Sequence, residues 1–477
     1  MVKRSHKRKV KFSFFTLVIT LCCSFANASL LNDKGLISET SVYEEIPIHQ
    51  TDDIIRALQK AKLLHKSVAI SAKQHSQGGQ TLIQGGIVLN MLPYNHVLKI
   101  DEDKTQVTVE PGITWDGLQK AINPHHLAIG VMQSSNIFTV GGSMSVNAHG
   151  LDFRLSPMIN SIVSFHMVLA NGKIVEVSPD KNSDLWRAAI GGYGLVGVIS
   201  DVTLRLMPDA IFKSKIQLIQ MKNLNDKFTH DILPVNDNVF MMGRLSTAPG
   251  EGFLRDMLLL TFSNTHFIPA KIQKLINPDN VDIVIKPLFN WSRHSDVGKK
   301  HIWQLEKLVF QNKYHDTLLT RNNAMRFAIE FAVSHHQNGH ADWLQEYYLP
   351  PDKMAEFIEY LRSLMIENHV NLLNATIRYV QGDTQSILTY AKNPSFSVVL
   401  YFDQELSEAK VNQTKQWTDA LITKAESFGG NYYLPYQPFA SKAQFQKGYP
   451  GYHQFVEIKQ KYDRENLFSS EFYLNYF

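Results

Sequence analysis

Three glycine-rich turns, at Gly78-Gly79, Gly141-Gly142 and Gly191 to Gly197, each sit beside an apolar strand or helix within residues 29–210, and they limit the possible folds more than any other feature of the chain. Glycine exposes backbone N–H groups and reaches φ > 0 without strain, so such turns are places where a chain can wrap a phosphate-bearing ligand. The first turn belongs to the run Ser71-Ala72-Lys73-Gln74-His75-Ser76-Gln77-Gly78-Gly79-Gln80-Thr81, which packs small residues around one histidine. The stretch from Gly191 to Gly197 is not a G-x-G-x-x-G after a first strand with an acidic residue about twenty positions on, and no G-x-x-x-x-G-K-[ST] occurs, which disfavours Rossmann and P-loop folds. Taken singly, each turn is explained by ordinary loop chemistry.

Short elements surround these turns. Thr51 can cap a helix carrying Asp52 and Asp53 in its first turn and Ile54, Leu58 and Ala61 on one face. Strands are expected at Val68–Ile70, Gly86–Leu89, Val97–Ile100 and Gln106–Val109, then a helix opened by Thr114 and stopped before Pro124. Asn171-Gly172 between two apolar runs predicts a hairpin, and Val198 to Leu206 alternates as a strand. From residue 211 the texture changes to longer strands (Ile216–Ile219, Met257–Phe262) and helices over Lys353–Glu367 and Glu408–Ser427. The fold class is therefore α+β, with one domain over 29–210, a second over 211–428 laid on it, and a closing segment 429–477.

A chain of 477 residues is long enough for two cores. Its beginning stands apart: Lys3, Arg4, Lys7, Arg8, Lys9 and Lys11 precede the apolar run Phe12 to Phe25, which ends at Ala26-Asn27-Ala28. This is the pattern of a cleaved secretory signal over 1–28, too short and too interrupted by Ser and Thr for a membrane anchor, so the expected destination is the periplasm or the medium. Cleavage takes Lys+Arg from 48 to 42 against 44 Asp+Glu and leaves the mature chain near neutral, which argues against nucleic acid as a partner. Both cysteines, Cys22 and Cys23, leave with the signal, and with them disulfides and thiolate chemistry. The run His335-His336-Gln337-Asn338-Gly339-His340 reads as a solvated loop rather than a metal site, because glycine interrupts any helix that would align His336 with His340.

In order and spacing the markers resemble the FAD-binding (PCMH-type) domain of the vanillyl-alcohol oxidase and p-cresol methylhydroxylase superfamily, across most of the mature chain. The resemblance implies a two-subdomain FAD domain, a substrate or cap domain, and a closing segment that returns to the flavin. It sets Ser71 to Gln80, with Gly78 and Gly79, as the pyrophosphate loop. Pro111-Gly112 is the next marker, and Thr139, Gly141, Gly142 and Ser143 with Asn147, His149 and Gly150 form the isoalloxazine side. Gly194, Gly197, Val198 and Ile199 form the adenine side. Family members with Gly-x-Gly-His-Ser carry flavin on the histidine, and His75-Ser76 stands at that place; Lys73-Gln74 replace the small residues before it, so noncovalent FAD stays open.

The same resemblance points to the aldonolactone and alditol oxidase branch and to decaprenylphosphoryl-ribose oxidases. It places Arg378 as the substrate arginine on a strand where period two puts Thr376, Arg378 and Val380 on one face. The acid expected two residues before Arg378 is Thr376 here, which puts polyol oxidation in doubt. Glu346 lies on a second strand facing the flavin, Tyr436 near where the ribose oxidases have a lysine, His149-Gly150 like their His-Gly, and Lys459 in the closing segment. The implied activity is oxidation of a CH–OH group of a sugar, lactone or related alcohol with an acceptor such as oxygen. A non-catalytic flavin-binding scaffold and a dehydrogenase of a lipid-linked sugar are the alternatives.

Overall fold

The computed structural model describes residues 29–277, 287–326, 336–337 and 339–477; the expected signal at 1–28 lies outside them. After a short antiparallel pair, Ser29–Leu31 with Thr40–Val42, comes a βαβ unit in which Glu44–Pro47 and Val68–Ser71 both run parallel to the central strand Ile87–Asn90. The helix between them, Thr51–Leu63, buries Ile54, Ala57, Leu58 and Ala61. Asp53 accepts the N–H groups of His49 and Gln50, so the helix begins one residue earlier than a Thr51 cap implies.

A second, antiparallel sheet follows in the order Ile174–Val177, Ile162–Val168, Val198–Pro208, Gln106–Val109, Val97–Asp101, with Leu127–Ile129 paired to the end of Val198–Pro208. The Asn171-Gly172 turn joins its first two strands, with Gly172 at φ +81°, the left-handed geometry that a tight hairpin of this kind demands.

The third sheet is antiparallel and has nine strands among the described residues. Its centre is formed by His340–Leu349, Ser395–Glu405, Asn371–Val380 and Asn238–Leu245. One face packs on the helices Met354–Glu367, through Phe357, Ile358 and Leu361, and Glu408–Ser427, through Trp417, Leu421 and Ile422. The other face looks into a cleft above the first two sheets. Where described, the histidine run is paired rather than an open loop, His336 with Ala341 and Gln337 with His340; His335 and Asn338 lie outside the described residues.

The closing segment stitches the layers together. Asn431–Tyr432 pairs with His340–Leu349. Farther on, Val68 donates to Leu467 O at 2.7 Å and accepts from Ser469 N at 2.9 Å, so the chain end extends the parallel sheet at the strand that leads into the 71–81 loop.

Candidate active site

The 71–81 loop leaves the end of the strand Val68–Ser71 and is clamped from two sides. Asp33, buried, accepts Gly79 N at 2.8 Å and Gly35 N at 2.9 Å. Gln77 N donates to Pro435 O at 2.8 Å, and Gln80 Nε2 to Leu434 O at 2.7 Å. Burial pushes the Asp33 carboxyl up, partly offset by the Gly79 and Gly35 amides.

This clamping corrects one expectation. Gly78 N–H is taken by Gln80 Oε1 at 3.0 Å and Gly79 N–H by Asp33, so neither glycine offers its amide to a ligand, and neither lines the cleft. The amides of Ala72 to Ser76 make no hydrogen bond among the described residues; there Gln74 adopts φ +55°, a left-handed turn of the kind that brings successive N–H groups to one side. Lys34 and Lys73 flank this run. Free amides, a left-handed residue and two cations suit a diphosphate, so the residues present fit FAD, with the cradle shifted to 72–76.

Ser71 to Ser76, Gln80, Pro111, Thr139, Gly141, Gly142, Ser143, His149, Gly194, Gly197, Val198 and Ile199 line one continuous cleft with Glu346, Thr376, Arg378 and Tyr436. Thr139 caps the short helix Val140–Ser145 by accepting from Gly142 N, and Gly141 lies so close to Pro111 that a Cβ would meet its ring at 2.6 Å. Gly112, Asn147, Gly150 and Lys459 do not line the cleft. Gly112 and Gly150 let the chain pass other backbone: a Cβ would stand 1.9 Å from Met91 O and 2.0 Å from Met132 O. Asn147 braces a loop by donating to Asp383 at 2.9 Å. Lys459 is buried, donating to Leu195 O, Asp463 and Phe468 O at 2.7–3.0 Å, and is a structural staple rather than a cofactor contact.

His75 sits edge-on to Phe138 with ring centroids 4.8 Å apart. Burial, helped by Lys34 and Lys73, lowers its imidazole to about 4, so it is neutral and one ring nitrogen keeps a free lone pair at neutral pH.

Opposite the loop, the third sheet presents Asp342, Leu344 and Glu346 from one strand, Asn374, Thr376 and Arg378 from another, and Val399 and Tyr401 between them. His149 Nε2 lies 2.6 Å from Glu346 Oε1, both buried. A carboxylate can only accept, so the imidazole donates from Nε2. Arg378 donates to Ser134 Oγ at 2.9 Å, and burial brings its guanidinium down to about 10, still charged at neutral pH, with Glu346 pulling the other way. Tyr348, Tyr390 and Tyr433 surround His149 at ring distances of 5.7–6.2 Å; burial and the Glu346 charge hold these phenols and Tyr436 well above their usual range, so all four stay protonated. His149 Nδ1, Tyr348 OH and Ser397 Oγ are buried without a hydrogen-bond partner among the described residues. Such orphans are costly in a core and mark a site shaped for something other than packing.

Residues that the sequence did not single out complete the walls: Gln133, Ser134, Phe138, Asp342, Asn374 and Tyr401. Gln133 and Ser134 come a few positions before Thr139-Val140-Gly141-Gly142, where a run of small polar residues was the available signal. Asp342 is held by Arg293 and Tyr401 OH, a buried network between distant segments that local pattern does not disclose.

A family model described as an FAD binding domain matches residues 46–178. L-gulonolactone oxidase of Mus musculus is 23% identical over 88% of this chain and 92% of its own length. Decaprenylphosphoryl-beta-D-ribose oxidase of Mycolicibacterium smegmatis is 23% identical over 88% of this chain and 91% of its own. Mitochondrial L-galactono-1,4-lactone dehydrogenase of Arabidopsis thaliana is 33% identical over a shorter stretch, 27% of this chain and 21% of its own. With an FAD binding domain over residues 46–178, a cleft that fits the cofactor and similarity over most of its length to L-gulonolactone oxidase and decaprenylphosphoryl-beta-D-ribose oxidase, this chain is an FAD-linked oxidoreductase similar to the aldonolactone oxidases and decaprenylphosphoryl-ribose oxidases.

Proposed function

We propose that the protein is exported and oxidises a CH–OH group of a sugar, a lactone or a related alcohol. Bound against the 72–76 loop, FAD would supply the two-electron redox chemistry, with oxygen or another acceptor as the final oxidant. The observation that carries the reading is the buried Glu346–His149 pair sharing one cleft wall with Arg378, opposite the 72–76 loop. Arg378, fixed by Ser134 and charged, suits negative charge developing on a substrate oxygen in a site that excludes water. Tyr436, held protonated, can donate a hydrogen bond that aligns a substrate oxygen but cannot act as the base. The polar shelf Asn374-Thr376-Arg378 fits a polyhydroxylated substrate, in keeping with relatives named for gulonolactone, galactonolactone and a decaprenylphosphoryl ribose.

The test is anaerobic bleaching of the purified yellow holoprotein by a panel of aldonolactones, aldoses, alditols and simple alcohols. Bleaching by a polyhydroxylated member is expected. A protein that keeps its flavin and bleaches with none is the non-catalytic scaffold.

His75 is the proposed attachment point for FAD, supported by its neutral imidazole in the cradle loop. Yellow colour should stay with the polypeptide through acid denaturation and be lost from it in His75→Ala; release of all colour from the unaltered protein makes FAD noncovalent. Export predicts an exported chain beginning at Ser29, and a chain retaining Met1 outside the cytoplasm would contradict cleavage.

A further inference from the structure

Oxidation of CH–OH breaks two bonds: the carbon loses a hydrogen with its electron pair, the share of bound FAD, and the oxygen loses a proton as the C=O bond forms. That proton needs an acceptor, and the residues of the cleft narrow the choice. Arg378 stays charged, Lys34 and Lys73 lie beside the cradle loop, the phenols stay protonated, and Asp342 is occupied by Arg293 and Tyr401. His75 lies in the cradle loop, and His149 Nδ1 is shut off from the cleft among the tyrosines.

Glu346 remains. Oε1 is taken by His149, whereas Oε2 makes no hydrogen bond among the described residues, and the residue lines the cleft. The sheet register puts this carboxylate where an acid is otherwise missing. Glu346 and Thr376 both pair with Val399, one from each side, so they stand at the same level on the same face, about 10 Å apart across two strand spacings. Arg378 is one side-chain repeat farther along, opposite Ser397, and is near enough for the Glu346 charge to act on it.

We propose that Glu346 Oε2 is the base that takes the substrate hydroxyl proton, with His149 as a positioning residue that fixes Oε1. In this arrangement the acid and Arg378 approach the same oxygen from different strands, one removing its proton and the other holding its charge. The charged and titratable groups facing the carboxylate are His149, Arg378, Tyr348, Tyr390, Tyr433 and Tyr436. His149 gives it a hydrogen bond and Arg378 a positive charge, and both favour a carboxylate over its acid.

This inference rests on the oxidoreductase reading, and the experiment separates the two. Rapid-mixing anaerobic reduction is measured as a function of pH with whichever panel member bleaches the unaltered holoprotein. Glu346→Gln keeps an acceptor for His149 Nε2 but cannot take a proton: the rate should fall about 100-fold or more and lose its acidic limb, with FAD content and unfolding midpoint unchanged. His149→Phe should lower the rate less, by about 10-fold, and move the acidic limb to higher pH, a shift that a merely structural role would not give. In resting protein, 15N NMR should find the His149 proton on Nε2, a readout independent of turnover. Bleaching of unaltered protein together with an unchanged rate and profile in Glu346→Gln overturns the assignment while leaving the oxidoreductase reading standing; no bleaching by any substrate overturns that reading and the base with it.

Discussion

Replacing Lys459 by methionine separates a staple from a cofactor contact. The side chain is 1% exposed and its partner Asp463 0%, with Nζ to Oδ2 at 2.8 Å. Nζ also satisfies the carbonyls of Leu195 and Phe468, so it ties the turn after Tyr193-Gly194 to the returning chain end. Methionine fills the methylene path but leaves a buried carboxylate without its counter-charge and two carbonyls without a donor. Asp463 keeps the amides of Leu467 and Phe468 at 2.8 and 2.9 Å, which places the loss within rather than above the usual range for breaking one side of a buried pair, about 3–5 kcal/mol. Neutralising the stranded acid as well, in Lys459→Met/Asp463→Asn, should recover about half of that, since only hydrogen bonds are then missing, at about 1 kcal/mol each. The assay is guanidinium unfolding of the holoprotein followed by far-UV circular dichroism, with flavin content measured on the same samples. A single variant within about 1 kcal/mol of the parent that nevertheless loses FAD would refute the reasoning and return Lys459 to the cofactor site.

His75 gives a pH dependence of fixed sign. Its imidazole titrates near 4 folded against 6.5 free, so the unfolded chain binds the extra proton between those values and apoprotein stability falls as pH drops from 6.5 toward 4, by up to about 3 kcal/mol; His75→Gln should flatten that slope, and an unchanged slope would show the ring to be solvated. In Gly112→Ala the new methyl would stand 1.9 Å from Met91 O and 2.5 Å from Tyr94 O, so the unfolding midpoint should drop by at least about 2 kcal/mol even in apoprotein; destabilisation seen only with FAD present would make the glycine a ligand contact after all. Gln77 donates to Asp342 O at 3.0 Å and accepts from Leu344 N at 2.9 Å and Gln437 Nε2 at 2.8 Å, so Gln77→Ala orphans three groups and should cost about 2–4 kcal/mol while weakening FAD retention, with an effect below about 0.5 kcal/mol on both contradicting the tie.

Much of the secondary structure was legible because its causes are local. The Asn171-Gly172 hairpin, the strand Gln106–Val109 and the helix Glu408–Ser427 follow from turn chemistry and periodicity, and they stand where those signals put them. The line from Ser71 to Ser76 was legible as a loop, but not which of its amides stay free. That depends on Asp33 and Gln80 consuming the Gly79 and Gly78 amides, one of them from 46 residues away. Lys459 looked like a site residue because it falls in the segment that resembles the one returning to the flavin; its actual partners are Asp463 one turn on and two carbonyls contributed by other elements. Gly112 and Gly150 carry the same lesson, since a glycine that lets backbone pass and one that lets a ligand approach are identical in sequence.

Thr376 shows how a pattern read along one strand can mislead across a sheet. Read by sequence, an acid is absent two residues before Arg378, and the site looks disabled. The sheet repeats every 4.8 Å sideways as well as every two residues lengthwise, so a carboxylate on a neighbouring strand at the same level faces the same volume. Glu346 occupies that level through Val399, and the price is a longer lateral reach, met by a histidine that holds one carboxylate oxygen. The loop residues that fit FAD are tied to this same strand, since Gln77 bonds both Asp342 O and Leu344 N just before Glu346. The cradle and the acid-bearing strand are thus held in one register by a buried glutamine, and a shift of the strand large enough to misplace Glu346 would have to break the loop's own anchorage.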